Sequence, residues 1–510
     1  MSFYSDALTE ISLDKQRQYE LSIWAEIEDK PLQVATGPSR RSSQSQIPPN
    51  FKSTLIFETG ALVQDGNKQK MAAMITVEET FFKNMQEDTC KPDVLCVIDT
   101  SGSMTGDKIE YVKKTLVMLL NFLTGSRLSI IVFDTGCYSL TKFKNVTKQN
   151  INNFTDRISQ ICTAGETDIN NALESVDAVL DRRQYADQVT TVFLLSDGQH
   201  NGPDFSLGEH FASAKPKSKY TIHTFGYGED HDAQLLQSIA QHKSGNYYFI
   251  DNISRVDECF VDCLATVTTC VCPSFQLDVK FKDCDAFKDF HIISVYSSYL
   301  CKTGSDSVTL NLVNVYAGYK KNFLIKVEMQ SSQPDKLHKS DLQKIGVLTQ
   351  NYITNNNIKI RQNEAISYLM VPKGKKAIAQ IDKEVKKNMA RIRASLALEE
   401  SANMSKNGDY HGAVQVIKNL HGVLSQLSEI AEDPEFTFLV SSVNTMKSMY
   451  EKGLSENYKK NNSASSAIQQ MHMFKNQTTS PLYRGSLHYS VPKQSINARS
   501  LFTMSQTPNK

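Results

Sequence analysis

Short apolar runs alternate with segments of helical period over residues 91–270. The runs include VLCVI (94–98) and TTVFLLS (190–196), and residues 108–123 and 169–180 carry apolar side chains every three or four positions. Strands that are apolar throughout are typical of a parallel sheet that is covered by helices on both faces. The pattern therefore predicts a doubly wound α/β domain over residues 91–270.

Strands with one polar face flank this domain in the sequence. MAAMITVEETF (71–81) precedes it and KKNFLIKVEM (320–329) follows it, and both alternate polar with apolar residues. Such alternation is typical of antiparallel sheets with one face in water. We therefore expect residues 51–90 and 271–345 to form one antiparallel β-sandwich, into which the α/β domain is inserted.

The remaining segments are predicted to be helical or irregular. Residues 346–458 show helical period, and the turn KNGDY (406–410) separates two long amphipathic stretches, which predicts an antiparallel helical hairpin. Residues 1–50 are interpreted as an N-terminal segment followed by a flexible linker containing Pro, Gly and Ser. Residues 459–510 are expected to be a disordered basic tail of charge +7, for which an anionic surface is a candidate contact.

Composition and charge narrow the class of protein. The 510 residues contain 56 Lys and Arg against 55 Asp and Glu, a balance that gives no support to nucleic-acid binding. The N-terminus does not resemble a secretory signal, and no apolar stretch has the length of a membrane span. We expect a cytoplasmic protein, in which Cys259, Cys263, Cys270 and Cys272 are reduced packing thiols rather than a zinc site.

Oxygen-bearing side chains follow two of the predicted strands. Asp99, Ser101 and Ser103 lie in DTSGS directly after VLCVI, and Asp197 follows TTVFLLS. Thr167 lies in the loop before the helix that starts near residue 169. In an open α/β sheet ligands bind at the carboxyl ends of the strands, and hard cations prefer oxygen ligands. We therefore predict a Mg²⁺ site here, which Mn²⁺ or Ca²⁺ could also fill.

Ordinary structural roles are the alternative for several of these residues. Ser103 or Asp107 would serve as a cap of the following helix, and Thr167 or Asp168 would do the same at the next helix. A metal-activated water would need a general base, for which Glu166 and Asp168 are the nearby acids. Acidic residues are common at helix N-termini, so their presence does not by itself indicate catalysis.

The segments DTSGS, GETDI and LLSDG carry a family resemblance. Their order and spacing resemble the metal-ion-dependent adhesion site (MIDAS) of the von Willebrand factor A (VWA) domain, and residues 93–268 are similar to that domain as a whole. The resemblance implies a Rossmann-like fold and a Mg²⁺ ion held by Asp99, Ser101, Ser103, Thr167 and Asp197. It also implies that a protein partner binds the metal through an Asp or Glu side chain.

The wider layout is also similar to known proteins. It resembles the inter-alpha-trypsin heavy chains and, more closely, intracellular plant and protist proteins in which a RING finger precedes the VWA domain and a helical interacting region follows. Only one cysteine, Cys90, precedes Asp93, so the RING array is missing, as are GxxxxGK, HExxH and GxSxG. We expect a non-enzymatic adhesion or scaffold protein. The alternatives are a component of a ubiquitin-ligase-type assembly and a structural subunit of a large complex.

Overall fold

The described residues form two compact units. The α/β unit contains residues 28–31 and the described part of 91–271. The second unit, called here the sheet-and-helix unit, contains residues 50–80 and the described part of 272–455. Most of the expected N-terminal segment and linker (1–50) and the whole tail (459–510) lie outside the described residues. The computed structural model describes residues 28–31, 50–80, 91–185, 189–197, 199–202, 205–213, 220–227, 231–250, 260, 263–264, 267–296, 301–332, 341–354, 358–372 and 382–455.

The strands and helices are numbered in chain order over these residues. The strands are β1 (Phe51–Phe57), β2 (Leu62–Gln64), β3 (Lys68–Glu79), β4 (Asp93–Asp99), β5 (Arg127–Phe133), β6 (Cys137–Asn145), β7 (Thr190–Ser196), β8 (Thr221–Tyr227), β9 (Tyr247–Ile250), β10 (Cys270–Phe281), β11 (Phe287–Tyr296), β12 (Cys301–Thr303), β13 (Ser307–Tyr316), β14 (Lys320–Ser331), β15 (Asp341–Ile353) and β16 (Lys359–Pro372). The helices are α1 (Asp107–Phe122), α2 (Ile151–Ser159), α3 (Ile169–Arg182), α4 (Leu207–Ser213), α5 (Ala233–His242), α6 (Lys383–Lys406), α7 (Tyr410–Ser425) and α8 (Pro434–Ser455).

The α/β unit is built on one sheet with the strand order β6-β5-β4-β7-β8-β9. Strands β4, β5, β7, β8 and β9 run parallel, and β6 runs antiparallel to β5 at the edge. Every residue of β4, β5, β7 and β8 is buried, because helices pack against the sheet. The predicted doubly wound α/β fold is confirmed, with β6 as an antiparallel strand that the periodic pattern did not include.

The core of the α/β unit contains side chains of both the sheet and helix α1. Alternate residues of β4, including Cys96 and Ile98, belong to one buried cluster with Val112, Leu116 and Leu119 of α1. These α1 residues recur every three or four positions, so one face of the helix lies on the sheet. Burial of this face fixes α1, and with it the loop that joins β4 to α1.

Residues 28–31 lie against β6 within the α/β unit. The Asp29 amide donates to the Phe143 carbonyl at 3.0 Å, and the Asp29 carboxylate accepts from the Asn145 amide at 3.0 Å. The Asn145 side chain donates to the Lys30 carbonyl at 2.8 Å. This short piece of the expected N-terminal segment is thus hydrogen-bonded to the edge strand of the sheet.

Two sheets make up most of the sheet-and-helix unit, with the strand orders β1-β3-β14-β11 and β12-β13-β10-β15-β16-β2. Strand β3 pairs with β14, and β2 pairs with β16, so segments before and after the α/β unit share the same sheets. Rings join the two sheets: Phe51 lies 4.8 Å from Phe275 and 4.9 Å from Tyr352 between centroids. Strands from both sides of the α/β unit therefore share sheets, and β2 and β16 pair in parallel.

The predicted helical start at residue 346 was wrong. Strands β15 and β16 occupy most of residues 341–372 and pair antiparallel. In β16 the buried residues Ile366, Tyr368 and Met370 alternate with less buried ones, which is the period of a strand. The helical region among the described residues begins at Lys383, because cross-strand pairing determined the conformation of a segment with a weak local pattern.

Among the described residues, the helical region contains three helices rather than the predicted hairpin of two. The KNGDY turn does separate α6 from α7, but a further helix, α8, begins at Pro434. Asp433 caps α8, because its carboxylate accepts from the Glu435 amide at 2.9 Å and the Phe436 amide at 3.1 Å. None of the described helices has the length and apolar character needed to cross a membrane.

Candidate metal centre

The loop after β4 leaves the sheet at its carboxyl edge. Asp99 is the last residue of β4 and is fully buried, Ser101 is 2% exposed, and Ser103 is exposed in a short 3₁₀ turn. The amide and the hydroxyl of Thr100 both donate to the Phe133 carbonyl, at 2.7 and 3.0 Å. These bonds to the end of β5 fix the direction in which the loop leaves the sheet.

Hydrogen bonds connect four of the five predicted ligands. The Ser101 and Ser103 hydroxyl oxygens lie 3.0 Å apart, and Ser103 donates to Asp197 Oδ1 at 2.7 Å. The Ser101 amide donates to Asp99 Oδ1 at 2.9 Å. Residues 94 positions apart in the sequence therefore meet at one point on the edge of the sheet.

Thr167 reaches the same edge through the backbone of its loop. The Gly102 amide donates to the Gly165 carbonyl at 3.0 Å, and the Ala164 amide donates to the Thr100 carbonyl at 2.7 Å. Thr167 is 2% exposed, and its carbonyl accepts from the Asn201 amide at 2.8 Å. Its loop is thereby held against the DTSGS loop and against the segment that follows β7.

Of the residues considered as possible helix caps, Asp168 is an N-cap and Ser103 is not. Asp168 is the N-cap of α3 and accepts from the Asn171 amide at 3.1 Å. The N-cap of α1 is Gly106, without a side-chain cap bond, and the Ser103 hydroxyl donates to Asp197 instead. Glu166 is exposed at the rim. The capping role thus applies to Asp168, and the hydroxyl of Ser103 belongs to the cluster at the sheet edge.

The sequence analysis did not identify three further residues of the site. Ser196, at the end of β7, donates to Asp99 Oδ2 at 2.5 Å, and the Lys108 ammonium forms an ion pair with Asp197 Oδ2. Asp134 follows β5, and its Oδ1 accepts from the Gly136 amide at 2.7 Å. Only the position of Asp134 after an apolar strand could have indicated it, because the other two contacts join segments distant in sequence.

Burial determines the electrostatics of the site. It raises the pKa of Asp99 to about 6, an effect that the nearby Asp197 carboxylate increases and that hydrogen bonds from Ser196 and Ser101 oppose. Burial likewise raises the pKa of Asp134, against hydrogen bonds from the Gly136 and Thr135 amides. The surroundings of the Asp99 and Asp134 carboxylates at this edge of the sheet thus disfavour their negative charge.

The donor atoms fit a hard divalent cation. Two carboxylates (Asp99 and Asp197) and two hydroxyls (Ser101 and Ser103) meet in one network, and oxygen donors are what Mg²⁺ and Ca²⁺ prefer. Within the described part of the chain no three His, Cys, Asp or Glu side chains cluster as a metal site.

Residues 93–260 match the family model of the von Willebrand factor type A domain. The α/β unit thus contains a VWA domain, and the predicted resemblance to that domain is confirmed over the matched residues. Domains of this class typically act in protein–protein interaction and adhesion.

Individual relatives share parts of the chain. A von Willebrand factor type A structure from Catenulispora acidiphila is similar in fold, with a TM-score of 0.66 and 14% identity, over 85% of this chain and 98% of that one. Inter alpha-trypsin inhibitor heavy chain 4 of Mus musculus is 27% identical over 223 residues, 40% of this chain and 23% of the relative. The E3 ubiquitin-protein ligase WAV3 of Arabidopsis thaliana is 21% identical over 242 residues, 47% of this chain and 31% of the relative. The chain therefore spans less than a third of either curated relative.

Proposed function

We propose that this chain is a non-enzymatic adhesion or scaffold protein whose VWA domain captures a protein partner through a divalent cation. Mg²⁺ is the proposed ion, with Mn²⁺ or Ca²⁺ as substitutes, and its ligands would come from Asp99, Ser101, Ser103, Thr167 and Asp197. The observation that carries the proposal is the chain of hydrogen bonds from Ser101 through Ser103 to Asp197 at the carboxyl edge of the sheet.

The charge of the site favours an acidic partner. A bound divalent cation supplies a Lewis-acidic position at which a carboxylate oxygen can bind. Asp99 and Asp197 together carry two negative charges, so they balance such an ion without giving the loaded site a negative charge. Ser103 is exposed beside buried Ser101, which leaves one side of the cluster open to an Asp or Glu of the partner.

Affinity purification with and without a chelator tests this function. The full chain is used as bait in Mg²⁺ and in EDTA, beside the double variant Asp99→Ala/Ser101→Ala and the control Asp156→Ala on the exposed face of α2. We expect partners to be lost in EDTA and with the double variant, and to be kept with Asp156→Ala. Recovery of the same partners under all conditions would show that capture does not pass through the metal.

We also propose a cytoplasmic location. The eight cysteines that the structure describes are free thiols, and Cys96, Cys263, Cys270 and Cys272 among them are buried. Free thiols are the state that a reducing compartment maintains, which supports the proposal. Fractionation of cells that express the tagged chain tests the location, and recovery with membranes or in the medium would contradict it.

A ubiquitin-ligase-type assembly is the second candidate. Its support is the similarity to WAV3, and the sequence lacks the RING cysteines of the related group. Incubation of the purified chain with activating and conjugating enzymes and ubiquitin tests intrinsic ligase activity. We expect no ubiquitin chains to form, so that any role in ubiquitination, or as a structural subunit of a large complex, would depend on other proteins.

A further inference from the structure

A lysine contacts the candidate metal centre from the first turn of α1. The Lys108 ammonium pairs with Asp197 Oδ2, while the other oxygen of the same carboxylate accepts from Ser103 at 2.7 Å. The Asp197 side chain is 0% exposed and that of Lys108 is 35% exposed. The ammonium thus reaches a fully buried carboxylate from the solvent side of the site.

The position of Lys108 is unfavourable for its helix. The N-terminal end of a helix carries partial positive charge, so a cation in the first turn is repelled by the helix dipole. The other charged residues of that turn, Asp107 and Glu110, are acidic, as the dipole favours. The ion pair with Asp197 provides the compensating attraction for Lys108.

The charges around Asp197 explain what the lysine does before a metal binds. Asp99 and Asp197 are both buried, and the Asp197 carboxylate raises the cost of ionising Asp99. A buried carboxylate without a cation is strongly destabilising, and a lysine supplies a point charge on a flexible stem. Lys108 therefore neutralises one carboxylate in the metal-free protein and can withdraw toward solvent.

We propose that Lys108 is a built-in competitor of the metal ion, which occupies Asp197 in the metal-free protein and is displaced when a divalent cation binds. The inference rests on the proposed metal site and adds its regulation. Lys108 lowers the apparent affinity for the metal, since each binding event must break the ion pair with Asp197. It also keeps the metal-free site folded, because two buried carboxylates are not left without a cation.

Direct titration of Mn²⁺ into the full chain tests the competition. Free Mn²⁺ is measured by electron paramagnetic resonance for the wild type, for Lys108→Met and Lys108→Gln, and for the control Lys114→Met, an exposed lysine of the same helix. We expect the Kd for Mn²⁺ to fall about tenfold in both Lys108 variants and to stay unchanged in the control, whereas Lys108→Arg, which keeps the charge, does not lower it. An unchanged or higher Kd in both neutral variants would overturn the proposal.

Thermal unfolding supplies a second readout without any partner. In EDTA, Lys108→Met is expected to have a lower Tm than the wild type, and Mn²⁺ is expected to raise its Tm by more than it raises that of the wild type. An equal rise in both proteins would contradict the competition. If no protein in the series binds Mn²⁺, the metal site and this inference both fail. If the Kd values shift as expected but partner capture is insensitive to EDTA, only the proposed function fails.

Discussion

The guanidinium of Arg127 donates two hydrogen bonds to the carboxylate of Asp93 at the amino edge of the α/β sheet. Nε lies 2.8 Å from Oδ1 and Nη2 lies 2.5 Å from Oδ2, and each side chain is 1% exposed. Arg183 also donates to Asp93 Oδ2 at 2.7 Å, and Glu28 pairs with Arg127 at 2.5 Å. Two cations and two anions thus form a buried network at the end of the sheet opposite to the candidate metal centre.

Loss of Arg127 is expected to destabilise the α/β unit strongly. Arg127→Met removes one partner of a buried ion pair and leaves carboxylate charge without its bidentate donor, which costs about 3–5 kcal/mol. The control is Arg182→Met, an exposed arginine in the last turn of α3. Urea unfolding followed by circular dichroism measures both, and a similar free energy of unfolding for the two variants would refute the prediction.

Glu28 is expected to contribute a smaller share of the same network. Its Oε1 accepts from Arg127 and its Oε2 accepts from the Gln184 amide at 2.8 Å, and the side chain is 12% exposed. Glu28→Gln keeps the shape but removes the charge, so we expect the unfolding free energy to fall by about 1–3 kcal/mol. Asp156→Asn on α2 is the control. A loss as large as that of Arg127→Met would show that Glu28, rather than Asp93, is the principal partner.

Gly165 is expected to tolerate no side chain, unlike Gly106. Both have positive φ, 72° and 89°, so alanine is strained at either position. A Cβ at Gly165 would lie 2.9 Å from Thr135 Oγ1 and 3.3 Å from Asp134 Cγ, whereas at Gly106 it would meet nothing within 4 Å. We expect Gly165→Ala to cost about 2–3 kcal/mol and Gly106→Ala about 1 kcal/mol.

The same pair of variants reports on the metal centre. Because Gly165 lies two positions before Thr167 and bonds the DTSGS loop, its displacement should weaken Mn²⁺ binding, while Gly106→Ala should not. Urea unfolding and Mn²⁺ titration of both proteins provide the two measurements. Equal behaviour of the two variants in both experiments would mean that contact with Asp134 and Thr135 does not position the Thr167 loop.

The free energy of unfolding of the sheet-and-helix unit is expected to rise with pH because Lys321 is buried. Burial, with repulsion from Arg391, lowers the pKa of Lys321 from 10.5 to about 7. Between these values the unfolded chain binds a proton that the folded chain has released, so the unfolding free energy increases with pH. From pH 7 to 9 the rise approaches about 1.4 kcal/mol per pH unit.

Substitution separates this effect from other titrations. Lys321→Met should be more stable than the wild type at pH 7 and should lose the rise between pH 7 and 9. The neighbouring Lys320, whose side chain is 59% exposed and pairs with Glu78, supplies the control Lys320→Met. Urea unfolding at several pH values is the measurement, and a slope that persists in Lys321→Met would assign it to another group.

Local sequence patterns identified most strands and helices of the α/β unit, though not β6, and the residue types of its candidate site. Every position of β4 and β7 is buried, and their continuous apolar sequences identified them as strands of a covered sheet. DTSGS begins at the last residue of β4, and Asp197 directly follows β7. The positions of Asp99, Ser101 and Ser103 depend on a turn a few residues long. Such short-range features depend only on consecutive residues, so they can be predicted without knowledge of tertiary contacts.

Tertiary contacts determined the conformation of most of residues 341–372 and the pairing of distant charged residues. Strands β15 and β16 form because they pair with each other, while β15 also pairs with β10 and β16 pairs with β2, although the local pattern after residue 346 had favoured a helix. Lys108 meets Asp197 across 89 positions, and Glu28 meets Arg127 across 99. The sequence by itself determined the apolar strands and amphipathic helices of the α/β unit and the oxygen-bearing side chains at the ends of β4 and β7. Which distant charges neutralise one another was decided only by the packed fold, because ion pairs between remote segments leave no local periodicity.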